Sequence, residues 1–162
     1  MNTNLPTEPS LEQILEAELP SLVRFCILLS GDRSSGEELA QEAVAQSLLR
    51  LESGQVRNGP AYLRRAAVNT WTNAIRRRRL ETSLRHLQVT NQEVEELEFE
   101  SRDSVWRALS HVPPRQRAAL VLRFYEDLSV SDIAEVLQCS DGTVKSNIHR
   151  GMKRLAKELG DE

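Results

Sequence analysis

Between Arg57 and Arg79 the chain carries seven arginines and no acidic residue. Guanidinium groups hold phosphate through charge-assisted hydrogen bonds, so such a run can grip a nucleic-acid backbone. Asn69, inside the run, adds an amide able to pair with a base edge. A second set of polar groups lies near the C-terminus. If Val144, Ile148, Met152 and Leu155 turn inward at helical spacing, then Thr143, Lys145, Ser146, Asn147, His149, Arg150, Lys153 and Arg154 face outward. Hydroxyl, amide and cationic groups at the front of a helix can reach base edges and phosphates in the major groove. The helix N-terminus adds free N–H groups for a phosphate. A third set, Glu37, Glu38, Gln41 and Glu42, falls on one or two adjacent helical turns. Each set also has a plain reading. The C-terminal set suits the solvated face of a three-helix bundle, while the arginine run and Glu37-Glu38 suit the dipoles of helix ends.

No catalytic constellation accompanies them. Gly31 to Gly36 has the glycine spacing of a phosphate loop, but Glu37-Glu38 stand where Lys and Ser/Thr are required, and acids there repel phosphate. His86, His111 and His149 are isolated, and Cys26 and Cys139 lack metal-ligand spacing. The expectation is a non-enzyme with no metal and no cofactor. The longest apolar runs, Phe25 to Leu29 among them, are far short of the ~18 residues of a membrane span. Met1 to Pro9 has neither a basic nor an apolar signal region. A soluble, cytoplasmic chain without membrane insertion is expected.

The elements that must position these groups read as helices. Glycine and proline are sparse, at seven and six of 162 residues, and aromatics make up only 4%. Ser10 with Gln13 forms a capping box ahead of Leu11, Ile14, Leu15 and Leu19, and Pro20 is expected to kink or break that helix before it resumes to Leu29. Ser35 with Glu38 suggests a second box, opening a helix with Leu39, Ala43, Ser47 and Leu51 on one stripe. Leu63, Ala67, Trp71 and Ala74 form the stripe of a third helix that runs into Arg76, Arg77, Arg78 and Arg79. Trp71 belongs to the core first and to base stacking second.

Residues 81–104 concentrate acids, among them Glu93, Glu95, Glu96, Glu98 and Glu100, and read as a linker. Charge balances of +1, −5 and +1 before, within and after it make up the net −3. Fully extended, it spans roughly 80 Å. Beyond it, Val105, Trp106, Leu109 and Val112 suggest a short helix, and Pro114 suits the first turn of the next, with Ala118, Val121, Leu122 and Tyr125 inward. Ser129 caps a short helix, and Ser140 caps the last one after a three-residue turn, a helix-turn-helix pattern. The fold class is therefore all-α: a helical domain over 10–80, an acidic linker over 81–104, and a helix-turn-helix domain over 105–159.

These residues carry a resemblance. Ser129 to Leu137, followed by Gly142-Thr143-Val144-Lys145-Ser146 and His149-Arg150, resembles the C-terminal DNA-binding domain of bacterial sigma factors, most nearly the extracytoplasmic-function group. Glu37-Glu38-Leu39-Ala40-Gln41-Glu42 resembles that family's polymerase-docking helix, and Tyr62 to Asn69 leading into Arg76–Arg79 its promoter-melting helix. The resemblance implies an alternative sigma factor with core RNA polymerase and promoter DNA as partners, and with an anti-sigma protein as a candidate regulator. It assigns Glu37, Glu38, Leu39, Gln41 and Glu42 to core polymerase. Arg64, Arg65, Asn69 and Arg76 to Arg79 go to the −10 element. Thr143, Lys145, Ser146, Asn147 and Arg150 go to the −35 element.

The chain departs from the family pattern at several positions. Glu38 stands where Asp is usual, Gly36 where Ala is, Val44 where Phe is frequent and Asn73 where Asp is common. Asn147 replaces a frequent Arg and Gly151 a frequent Ala. The Asn147 change bears on the −35 preference, since Asn pairs best with adenine and Arg with guanine. The alternative reading is a stand-alone helix-turn-helix regulator with a helical dimerisation or sensory domain, which predicts a palindromic site bound without polymerase.

Overall fold

The structure, a computed structural model, describes residues 9–84 and 104–160. Among them are seven α-helices, one π-helical turn and no strand. The linker acids Glu93 to Glu100 and His86 lie outside the described residues.

Helix α1 (Leu11–Ser30) opens on the expected capping box: Gln13 N–H donates to Ser10 Oγ (3.3 Å) and Ser10 N–H to Gln13 Oε1 (2.9 Å). It closes at Gly31, whose φ of 96° is open to glycine without strain. Of the kink or break expected at Pro20, the break does not occur: the helix runs through it. Pro20, like Glu16 and Leu19, is exposed, so the missing i→i−4 bond falls on the solvent side. Leu22, Phe25, Cys26 and Leu29, all fully buried, hold the second half in place.

Helix α2 (Arg33–Glu52) begins two residues before the expected Ser35 cap. Asp32 takes the role, its carboxylate accepting from Ser35 N–H at 2.7 Å, because a carboxylate at the positive end of the helix dipole is a strong cap. Leu39, Ala43 and Ser47 are buried as the stripe predicts, and Ser47 Oγ donates back to the Ala43 carbonyl at 2.6 Å. Helix α3 (Gly59–Leu84) is capped by Asn58, whose Oδ1 accepts from Ala61 N–H at 3.1 Å. It runs past Arg79 to Leu84, beyond the expected boundary at 80. These three helices pack on one another.

Helices α4 (Ser104–Ser110), α5 (Pro114–Leu120), α6 (Val130–Leu137) and α7 (Asp141–Gly160) form the second group. Pro114 occupies the first turn of α5, and Ser129 and Ser140 cap α6 and α7 as expected, accepting from Asp132 N–H and Thr143 N–H at 3.1 Å each. Between α6 and α7, Gln138 takes a left-handed φ of 54°, which turns the chain sharply. A π-helical turn over Val121–Tyr125, closed by Glu126 N–H donating to the Val121 carbonyl (3.1 Å), extends α5. The extra residue in the turn changes the phase: Val121 and Leu122 stay buried, but Tyr125, expected inward, is partly exposed, and its hydroxyl accepts from Arg24 Nε at 3.2 Å.

The two groups touch. Helix α3 packs on α6, α1 meets α5 and the π-helical turn, and their buried apolar side chains form one contiguous cluster.

Candidate nucleic-acid and protein interface

Three surfaces carry the predicted groups. On α2, Glu37, Glu38, Gln41 and Glu42 are exposed along one face. Glu37 pairs with Arg33 at 2.9 Å, and Glu42 accepts from Gln46 Nε2 at 3.1 Å. These are exposed side-chain contacts worth a few tenths of a kcal/mol to about 1 kcal/mol, easily exchanged for a partner's groups. Leu39 is not part of that surface: it is buried in the core, because it falls on the stripe shared with Ala43 and Ser47. It packs beneath the acids assigned to polymerase with it.

On α3 the arginines divide. Arg76, Arg77, Arg78 and Arg79 are exposed, and so is Asn69. Arg64 is only 4% exposed, against the expectation that it faces outward to DNA. Its Nη1 donates to Glu18 Oε2 at 3.0 Å and to the Pro60 carbonyl at 3.2 Å. Its Nε donates to Glu126 Oε2 at 3.1 Å, and Nη2 bonds Ser21 Oγ. The reason is helical phase: Arg64 lies three residues before Ala67 and seven before Trp71, on the buried face. A buried guanidinium survives only when its donors are satisfied, and removing one partner from such a pair costs about 3–5 kcal/mol. Arg65 is half-buried, and the Gln138 amide, with its oxygen toward the guanidinium, accepts from Arg65 Nε at 3.2 Å. Trp71 is in the core at 7% exposure, and the Arg117 guanidinium lies over its ring, 5.3 Å from the centroid.

On α7, Val144 is buried, while Ile148 and Leu155 are half-buried against the core and Met152 is exposed at 43%. Thr143, Lys145 and Arg150 are exposed, and Ser146 and Asn147 are half-buried. Thr143 Oγ1 lies 2.9 Å from Ser140 Oγ, so its hydroxyl shares in the cap. The outward face of α7 is thus open, as helical phase requires.

Sequence reasoning missed Glu18, Ser21, Arg117 and Glu126. Burial lowers the Arg117 guanidinium to about 10, and that side chain donates to the carbonyls of Leu29 (2.9 Å), Ser110 (2.6 Å) and Val112 (3.3 Å). No local signal marks a bond between residues 88 apart. Arg64 did carry a signal, its phase within the apolar stripe. Burial also pushes the Cys26 thiol up to about 12, opposed by the nearby Arg64 charge, so it stays protonated and inert. Cys139, at the turn before α7, is partly buried against the core. Among the described residues no cluster of ligating side chains suits a metal ion, and no helix is long and apolar enough to cross a membrane.

Comparison with known proteins extends this geometry. The family models for sigma-70 region 2 and sigma-70 region 4 match residues 14–81 and 102–155. An RNA polymerase sigma-E factor of Streptomyces antibioticus is 34% identical, covering 91% of this chain and 83% of its own. The extracytoplasmic-function sigma factor EcfG of Rhodopseudomonas palustris is 32% identical, covering 96% of this chain and 88% of its own. A sigma factor RpoE solved in complex with the anti-sigma factor NepR, from Bartonella quintana, superposes with a TM-score of 0.72. It is 26% identical and covers 92% of this chain and 96% of its own.

Proposed function

The chain belongs to the sigma-70 family, in its extracytoplasmic-function group, and is an alternative sigma factor; from that premise we propose how its residues share the work of binding core RNA polymerase and starting transcription at promoters. The family is one of non-enzymatic initiation factors, and the residues carry binding and positioning chemistry throughout. The observation that carries the reading is the presence of both regions in family order on one chain, each with its polar face built on a capped helix.

The acidic face of α2, Glu37, Glu38, Gln41 and Glu42, docks on a basic, partly apolar surface of core polymerase. Its exposure and its easily exchanged pairs support this role. Arg76 to Arg79 hold the phosphates of the opening strand, and Asn69, exposed two helical turns before Arg76, offers its amide to a base taken from the stack, whose extrusion costs a few kcal/mol. Helix α7 enters the major groove at the −35 element. Lys145 and Arg150 position it on phosphates, and Asn147, with Ser146 and Thr143, reads base edges. The domains over 10–80 and 105–159 then serve separate promoter elements, joined by residues 81–104. The site of action is the cytoplasm, where polymerase and promoters are. An anti-sigma protein, such as the one bound to the Bartonella relative, is a fitting regulator.

Run-off transcription with core polymerase, this protein and a genomic promoter library tests the reading. Holoenzyme formation and discrete start sites are expected. Failure to bind core polymerase or to initiate at any promoter would overturn it.

A further inference from the structure

The inner stripe of α2, Leu39, Ala43 and Ser47, is buried, and the acids of that helix lie on its outer side. The outer side does not end with them. Glu38, Glu42, Ala45, Leu49 and Glu52 follow one another at steps of four, three, four and three residues, which is one stripe of a helix, and all five are exposed. Leu49 is 81% exposed, more than any other large apolar side chain among the described residues. It lies about 10 Å beyond Glu42 along the helix axis. A leucine alone on a surface is common and calls for no explanation. This one has company: Ala45 precedes it by one turn, Leu48 is half-buried beside it, and the exposed Gln46 and Glu52 border the patch. An apolar centre with a polar rim is the anatomy of a protein interface.

We propose that Leu49 is the apolar anchor of the surface that α2 offers to core RNA polymerase, with Glu38 and Glu42 guiding it into place. The inference rests on the polymerase docking proposed for the acids of α2 and deepens it, since it gives the partner a shallow apolar socket set apart from its basic groups. Charge alone makes a poor grip. Exposed acids bring a basic partner in quickly and in the right orientation, yet each such pair adds little affinity and adds less as salt rises. Removing an exposed leucine from water adds affinity that salt does not screen. The same side chain adds little to the fold, because so little of it is covered, so a change at Leu49 reads the interface and not the stability of α2. The stripe also selects its occupant. Two copies of this chain meeting through it would set Glu38, Glu42 and Glu52 against their own kind, and the same acids repel the phosphates of DNA.

The test uses the full chain with core RNA polymerase and compares wild type, Leu49→Ala, Leu49→Met and Glu42→Lys. Circular dichroism checks that the helices are kept, as they should be in Leu49→Ala, since alanine is the best helix former. Affinity for core polymerase is measured at low and at high salt. Leu49→Ala should bind roughly tenfold to fiftyfold more weakly, the loss expected when a buried isobutyl group is cut back to a methyl, and by the same factor at both salts. Leu49→Met, which keeps the apolar area, should recover most of that affinity. Glu42→Lys should also bind more weakly, but its defect should shrink as salt rises. If Glu42→Lys and Leu49→Ala both bind like wild type, the docking of α2 is overturned and the anchor falls with it. A weakened Glu42→Lys beside an unchanged Leu49→Ala overturns the anchor alone. So does a Leu49→Ala defect that high salt abolishes, or one that Leu49→Met shares in full.

Discussion

Gly36 shows how one hydrogen in place of a methyl sets a helix spacing. A Cβ built there would lie 2.6 Å from Ile27 Cα and 2.7 Å from Ile27 N. Those are backbone atoms of α1, which cannot rotate away as a side-chain tip can. An alanine there would therefore push α1 and α2 apart. Overpacking of this kind costs about 1–3 kcal/mol, against a gain of about 1 kcal/mol from replacing glycine inside a helix. Gly36→Ala should lower the melting temperature by a few degrees. A melting temperature equal to or above wild type would show that α1 yields freely. Gly151 gives a contrast: its Cβ would meet Leu120 Cδ1 at 3.0 Å and Cγ at 3.1 Å, side-chain atoms rather than backbone, so the same substitution there is milder. Neither difference was legible from residue type. Gly36 and Gly151 read only as departures from a pattern, because what constrains each is a neighbouring helix far along the chain.

At the scale of the helix, what was legible was what is local. Ser10, Ser129 and Ser140 cap where the sequence placed them because a cap needs only the three residues that follow it. The π-helical turn was not legible, since its register depends on partners far along the chain, such as Arg24 at the Tyr125 hydroxyl. Leu39 and Arg64 carry family motifs for outside partners, yet helical phase puts both inside. Phase outweighs motif there, because a helix has no freedom to turn one residue outward alone. On α7 phase and motif agree, which makes its division of labour testable. Arg150 is exposed and Asn147 half-buried beside it. Arg150→Ala should weaken duplex binding by the holoenzyme about equally on all −35 sequences, because a phosphate looks the same beside every base. Asn147→Ala should relax preference at one base pair by ~1–3 kcal/mol. Binding measured across a library of single-base variants of the −35 element separates the two, and identical profiles would show that the roles were divided wrongly.

Over the whole molecule, two helical parts in family order were readable from periodicity and charge, but their docking was not. Arg64 and Glu126 are 62 positions apart, and neither carries a local mark of the other. Charge tells the larger story. The chain is net −3, so its DNA grip must come from concentrated patches and from the polymerase that carries it. Arg76 to Arg79 are the densest patch, and they stay exposed while the helix groups are docked. Replacing all four by alanine should leave α3 helical, since alanine is the best helix former. Open-complex formation by the holoenzyme should weaken, and the slope of log K against log salt should flatten by ~0.7–0.9 for each phosphate that is no longer neutralised. A weaker complex with the wild-type slope would mean that the four arginines act on polymerase or on the fold, and that DNA is held elsewhere.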